Sequence, residues 1–208
     1  MPLSHLTSAI IFGSWLAIGV PVSASANVIT DWDGKAVALV MPAGPLGVSQ
    51  QIYTAQRMMG MVHAAMFDAV NSIERRYEPY LVQLPADPAT SKEAAAAAAA
   101  ATVLATIDEK TAREVTVTLA TYLASIPDDG SAKADGIRLG EAVAAKVLEV
   151  RAIDGHNALD DYRPRTAPGV YVPTSITAAS TWSKVKPFAL TTASQFRPDP
   201  PISLSSRE

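Results

Sequence analysis

The chain has 208 residues, 49% of them hydrophobic, enough for one domain with a sizeable core. Its 17 basic and 20 acidic residues leave a net charge of −3 with no basic cluster beyond Arg75-Arg76, so there is no electrostatic footprint for nucleic acid. Cysteine is absent, which excludes disulfides, thiol catalysis and thiolate metal sites.

Residues 1–26 read as a targeting segment. The run Ala9 to Val20 is apolar but shorter than the roughly 20 residues of a membrane span. Ala24-Ser25-Ala26 follows with the small-residue spacing of a cleavage site. The expectation is a secreted or periplasmic protein that begins near Asn27 and has no stable membrane span. Asp31-Trp32-Asp33-Gly34 matches the start of a calcium loop but lacks the third oxygen ligand and the terminal glutamate. It reads as a turn before a short helix or strand.

Four helices are then predicted. The first has Ser49 as N-cap and runs to about Ser72. Met58, Met61 or Val62, Ala65, Ala69 and Ile73 form its apolar stripe, which Met59, Met66 and Val70 widen. A stripe this broad is covered on most sides. Arg57, His63, Asp68 and Asn71 must therefore be buried with partners or aimed at neighbouring loops, and His63 reads as a core histidine bonded to a carbonyl or carboxylate. Tyr77, Pro79 and Tyr80 end this helix, and Pro85 and Pro88 hold the next link extended.

Thr90-Ser91-Lys92-Glu93 has the form of a capping box opening a second helix, which eight alanines, Ala94 to Ala101, continue. Alanine lets a neighbour approach closely, so this helix reads as interior. Thr106-Ile107-Asp108-Glu109 is a second capping box, and Ala112, Val115, Leu119, Tyr122 or Leu123, and Ile126 recur at helical spacing after it. Pro127 to Gly130 is a turn. The fourth helix spans Ser131 to about Arg151, with Ile137, Gly140, Ala144 and Val147 or Leu148 inward, and Asp154-Gly155 stops it. The short links imply an all-α, antiparallel helical bundle over residues 27–155. Residues 156–208 hold seven of the fifteen prolines and no helical period. They read as an irregular, Pro-rich wrap anchored by Tyr162, Val170, Tyr171, Val172, Trp182, Phe188 and Phe196.

A search for chemistry in the sequence finds little. His63 has no second histidine four residues away, as a zinc helix requires. His156 reads as a surface or loop-packing residue. Gly47-Val48-Ser49-Gln50-Gln51 lacks the last glycine of a nucleophile elbow, and no Gly-Lys-Ser/Thr follows the Gly/Pro stretch. Asp128-Asp129 and Asp160-Asp161 lie in turn sequence, where solvated charge is the ordinary meaning.

Arg57 with His63 to Asn71, then Tyr77-Glu78-Pro79-Tyr80, begin a longer pattern. It continues in Arg151-Ala152-Ile153-Asp154-Gly155, Pro168-Gly169 with Pro173, Trp182 to Phe188, Gln195-Phe196-Arg197-Pro198 and Pro200-Pro201. The pattern resembles the vanadium-dependent haloperoxidases and their relatives in the type 2 phosphatidic acid phosphatase superfamily. That resemblance implies packed helical bundles and a vanadate or phosphate held by lysine and arginine, with a histidine bonded to the metal oxide or attacking phosphorus. It places those ligands in K-x6-R-P, P-S-G-H and S-R-x5-H motifs of a C-terminal half.

None of the three motifs occurs here. Seven residues before Arg163-Pro164 and Arg197-Pro198 stand His156 and Leu190, Gly155-His156 follows Ile153-Asp154, and Ser206-Arg207 has only Glu208 after it. The expectation is therefore no catalytic, cofactor-binding or metal-binding residue in this chain, and no cofactor of its own, vanadate being implied only by the resemblance. The chain then reads as the N-terminal helical half of an exported haloperoxidase-like or phosphatase-like protein, inactive alone. Its partner would be the missing C-terminal bundle or a self-associating copy. The alternative is a stand-alone exported helical scaffold or interaction module.

Overall fold

The computed structural model describes residues 27–41, 48–127, 130–175, 177, 179–200, 202, 204 and 206, with the backbone alone at 48–51. The proposed targeting segment, the Gly/Pro stretch at 42–47 and the Asp128-Asp129 pair lie outside the described residues. The fold is all-α: five helices, with no strand among the described residues.

The helix beyond the four expected is α1, Val28–Val40, and it takes in the sequence read as a turn. The Asn27 side chain accepts from the amides of Ile29 and Thr30 at 2.9 and 3.2 Å, and the Thr30 hydroxyl accepts from the Asn27 amide at 3.0 Å. This reciprocal cap starts a helix on whose inner face Trp32 and Ala36, one turn apart, are fully buried. Burial of a tryptophan outweighs the cost of about 1 kcal/mol for an exposed helical glycine at Gly34. The Asp-x-Asp-Gly sequence is thus helical, not a calcium loop.

Helix α2, Val48–Glu74, buries the predicted stripe, with Met58, Met61, Val62, Ala65, Met66, Ala69 and Ile73 all within the core. It extends two residues past the expected Ser72 and ends at Arg75, which takes a left-handed φ of 53° while its amide still donates to Asn71.

At the centre is α3, Lys92–Leu104, packed against all four other helices. Its cap is Ser91, whose hydroxyl accepts from the Ala94 amide at 3.2 Å; Thr90, one residue earlier, is buried in the preceding link. All eight alanines are buried. Helix α5, Ser131–Arg151, meets α3 backbone to backbone: a Cβ on Gly136 would stand 2.5 Å from the Ser91 carbonyl oxygen, and one on Gly140 would overlap the Ala95 carbonyl oxygen. The inner face of α5 is therefore Gly136, Leu139, Gly140, Val143, Ala144, Val147 and Arg151, turned slightly from the predicted set, with Ile137 and Leu148 only half-buried.

Helix α4, Glu109–Ser125, is capped by Asp108, which accepts from the Thr111 amide and hydroxyl at 2.8 and 3.0 Å. Thr106, the expected cap, instead donates its hydroxyl to the Val103 carbonyl and closes the end of α3. A carboxylate two residues on is the better acceptor for helix-start amides. Only Thr111 and Val115 of α4 are deeply buried.

Beyond α5 the backbone is irregular apart from a 3₁₀ turn at Ser180–Lys184. Trp182 and Phe188 seat it: Trp182 meets Tyr53 at a centroid distance of 5.6 Å, and the Phe188 ring lies on Gly60 and stacks on Tyr80 at 6.2 Å. Four of the other expected anchors are corrected: Tyr162, Tyr171, Val172 and Phe196 are exposed, the last at 77%, while Val170 is half-buried.

Candidate functional site

The polar residues on α2 capture two irregular segments. Asp68, fully buried, accepts from three successive amides, Tyr80, Leu81 and Val82, at 2.7 to 2.9 Å. Asn71 donates to the Tyr77 carbonyl and accepts from the Tyr77 amide, and the Ser72 hydroxyl accepts from Leu84. These three side chains, within two turns of one helix face, fix the link from 77 to 84. Each of these bonds goes to backbone, so the three side chains bear on architecture.

Arg57, at the other end of the stripe, reaches the last residue of α5 and Asp154 just past it. Its Nε donates to Asp154 Oδ2 at 2.8 Å and its Nη2 to the Arg151 carbonyl at 2.7 Å. Asp154 Oδ1 accepts from the His156 amide at 3.1 Å and faces the ring Nδ1 at 2.9 Å. Arg151 lies 3.2 Å from Asp154 Oδ2 through Nε, donates from Nη1 to the Lys186 carbonyl at 3.0 Å, and spreads its guanidinium 3.6 Å from the Phe188 ring centre. The Lys186 amide returns a bond to the Asp154 carbonyl at 2.7 Å. Asp154 thus ties three parts together: its carboxylate meets Arg57 of α2 and Arg151 at the end of α5, and its backbone carbonyl takes the Lys186 amide from the segment that carries Phe188.

Burial by itself would raise the Asp154 pKa. The hydrogen bonds from Arg57 and His156, together with the Arg57 charge, outweigh it and hold the carboxyl below its ordinary 3.8. Arg151 is pulled below the usual guanidinium value, chiefly by burial and against the attraction of Asp154. Two of its nitrogens, Nε and Nη2, are buried without an aligned hydrogen-bond partner among the described residues. Two guanidinium groups against one carboxylate leave this cluster with an excess of positive charge.

Cavities flank the cluster. The larger, about 780 Å³, is lined by Met58, Met61 and Leu148 with Arg57, Arg151 and His156, and Asp108 stands at its wall. A second, about 380 Å³, lies between Arg57, Arg151 and the segment Trp182 to Leu190.

The sequence reading of His63 is half corrected. It does bond a carboxylate, Asp33 Oδ1 at 2.9 Å, but its side chain is 43% exposed beside an apolar groove of about 490 Å³ between α1 and α2. Its acidic partner sits on α1, the helix that the sequence reading missed. His156, read as a loop residue, is exposed but oriented on Asp154. Asp160 and Asp161 are exposed: the first takes the Tyr162 amide, the second pairs with Lys184 at 2.7 Å. Arg163 and Arg197 are exposed, and Arg207 lies outside the described residues. Among the described residues no group of three or more acidic or histidine side chains is placed to hold a metal ion, and no helix is long and apolar enough to cross a membrane.

Comparison of the chain with family models, with curated proteins and with solved structures finds no match.

The cluster of Arg57, Arg151, Asp154 and His156 was missed as a unit. A signal for it was present, since Arg151 falls four residues after Val147 and seven after Ala144, on the inner stripe of its helix, as Arg57 abuts the stripe of α2. Two arginines on apolar faces demand a shared carboxylate, and Asp154 was within reach.

Proposed function

We propose that this chain is the helical scaffold part of an exported protein of the vanadium-haloperoxidase-like or type 2 phosphatidic-acid-phosphatase-like kind. In this reading the oxyanion ligands belong to a separate helical body, and the chain has no catalytic activity of its own. The observation that carries the reading is where the residues of the resemblance fall. Arg57, Asp68, Asn71, Tyr80, Arg151, Asp154 and Phe188 all stand at joints between helices and irregular segments. What resembles the family is thus the set of connections that shapes a scaffold. Exposed apolar side chains from Ile153 to Leu204, among them Leu159, Tyr171 and Phe196, offer a surface for a further body. Export rests on the pattern of residues 1–26.

The test is an assay of the purified chain for vanadate-dependent bromide oxidation and phosphate-ester hydrolysis. Background rates are expected in both; robust turnover in either would overturn the reading. A second reading, a stand-alone exported scaffold, is favoured by the closed core around α3. Sedimentation and thermal melting separate the two. A monodisperse sample with a sharp cooperative melt supports the stand-alone scaffold, whereas self-association through the exposed apolar segment supports the first reading.

A further inference from the structure

The segment around Phe188 is seated on the helices in a way that sets it apart from their core. No described residue after Asp154 is buried, and Phe188 is the one among them that packs against the hydrophobic core. The centre of that core is made by the helices: Trp32 of α1, Val62 of α2, Ala97 of α3 and Val143 of α5 are fully buried.

Phe188 rests in a notch. Its ring supplies the three atoms nearest to a methyl placed on Gly60, at 2.7 to 3.0 Å, so the bare backbone at Gly60 is what admits the ring to the surface of α2. Tyr80 flanks the ring at 6.2 Å, and the Arg151 guanidinium lies 3.6 Å from its centre. Two residues earlier, Lys186 is held at both backbone polar groups: its amide donates to the Asp154 carbonyl at 2.7 Å, and its carbonyl accepts from Arg151 Nη1 at 3.0 Å. Trp182 leans on Tyr53 at 5.6 Å. Between these seats, the cavity of about 380 Å³ separates the segment from Arg57 and Arg151. A closure made at separate seats over an unfilled space differs from a core, where every surface is matched. Local stability follows buried apolar contacts, so such an element opens at a lower free energy than the whole molecule.

We propose that Ser180 to Phe188 form a latch that opens as a unit while the five helices stay folded, lifting Phe188 out of the Gly60 notch and baring the Tyr80 ring and the Arg151 guanidinium. The latch uses only contacts within this chain, so it holds under either scaffold reading. Native-state hydrogen exchange of the full chain tests it. In the parent, the Lys186 amide is expected to exchange at least about a hundredfold faster than the amides of Ala97 to Ala100 in α3, once intrinsic rates are corrected for.

Gly60→Ala favours α2 as a helix while its methyl displaces the ring, so exchange at Lys186 should quicken by about 5- to 30-fold. Exchange in α3 should change by less, because it requires global unfolding, against which the gain in helix propensity offsets part of the loss. Phe188→Ala should also quicken Lys186, and adding Gly60→Ala to that variant should do nothing further there, since the methyl then has no ring to displace. Equal rates for Lys186 and α3 in the parent would overturn the latch, as would a Gly60→Ala variant that leaves Lys186 unchanged or speeds both places alike. A Gly60→Ala effect on Lys186 that persists in full without Phe188 would overturn it equally.

Discussion

Asp68 and His63 lie five residues apart on one helix and show how differently two polar groups can be held. Asp68 accepts three amides from inside the core, while His63 shares one bond with Asp33 at a half-exposed groove. Asp68→Ala should lower stability by about 2–4 kcal/mol, because three N–H groups lose a charged acceptor. His63→Ala should cost no more than about 1 kcal/mol, the range of exposed ion pairs. Chemical denaturation of both variants checks the order, and equal losses would mean that the link at 77–84 is held by something else. Asp154 supplies a pH test. Its carboxyl titrates lower in the fold than in the unfolded chain, so its contribution is complete above about pH 4 and is lost as pH falls through the folded value. Asp154→Asn should therefore lower the melting temperature at neutral pH by roughly 6–20 °C, with the gap to the parent closing in acid. A gap that stays constant down to pH 2 would exclude this carboxylate as the source. Sequence exposed these polar residues by their conflict with an apolar stripe, but not their partners. The partners of Asp68 are backbone amides, which every residue has, and that of His63 lies on a helix disguised by Asp-Trp-Asp-Gly.

At the scale of elements, glycine has opposite consequences in α1 and α5. A methyl group at Gly34 meets nothing within 4 Å, whereas one at Gly140 overlaps the α3 backbone. Gly34→Ala should stabilise by about 0.5–1 kcal/mol through helix propensity alone. Gly140→Ala gains the same propensity yet should destabilise by about 2–4 kcal/mol, since α3 and α5 must separate. Thermal melts of the two variants are expected to move in opposite directions. Much of this layer was legible: the extent of α5, the interior place of the alanine helix and the stripe of α2 follow from period and residue size. The caps slipped because Thr90-Ser91 and Thr106 to Asp108 each offer rival oxygen acceptors within two residues, and the choice is made by chain direction, which a pattern does not contain. Helix α1 was hidden because turn-forming residues sit on its exposed side while the burial of Trp32 and Ala36 decides the outcome.

At the scale of the molecule, the helices surround α3, and the described chain after Gly155 is attached to them at identifiable points. Gly155, at φ 88°, lets the Lys184 carbonyl approach its Cα closely, and the Asp154 cluster, Trp182 and Phe188 hold the remainder. Sequence identified Trp182 and Phe188 correctly but could not separate them from the exposed Tyr171 and Phe196, since aromatic content alone does not say which ring finds a partner. The buried charge cluster is part of this attachment, with Arg57 and Arg151 both on Asp154. The alanine helix carries a thermodynamic consequence of its own. Eight residues with no rotamers to freeze occupy the middle of the core, so ordering them costs backbone entropy and almost none from side chains. They also hide little apolar area apiece, and exposure of apolar area is what raises the heat capacity on unfolding. A core centred on such a helix draws more on dispersion between closely spaced backbones than on dewetting of large side chains, and its stability should fade less on cooling than that of a leucine-centred one.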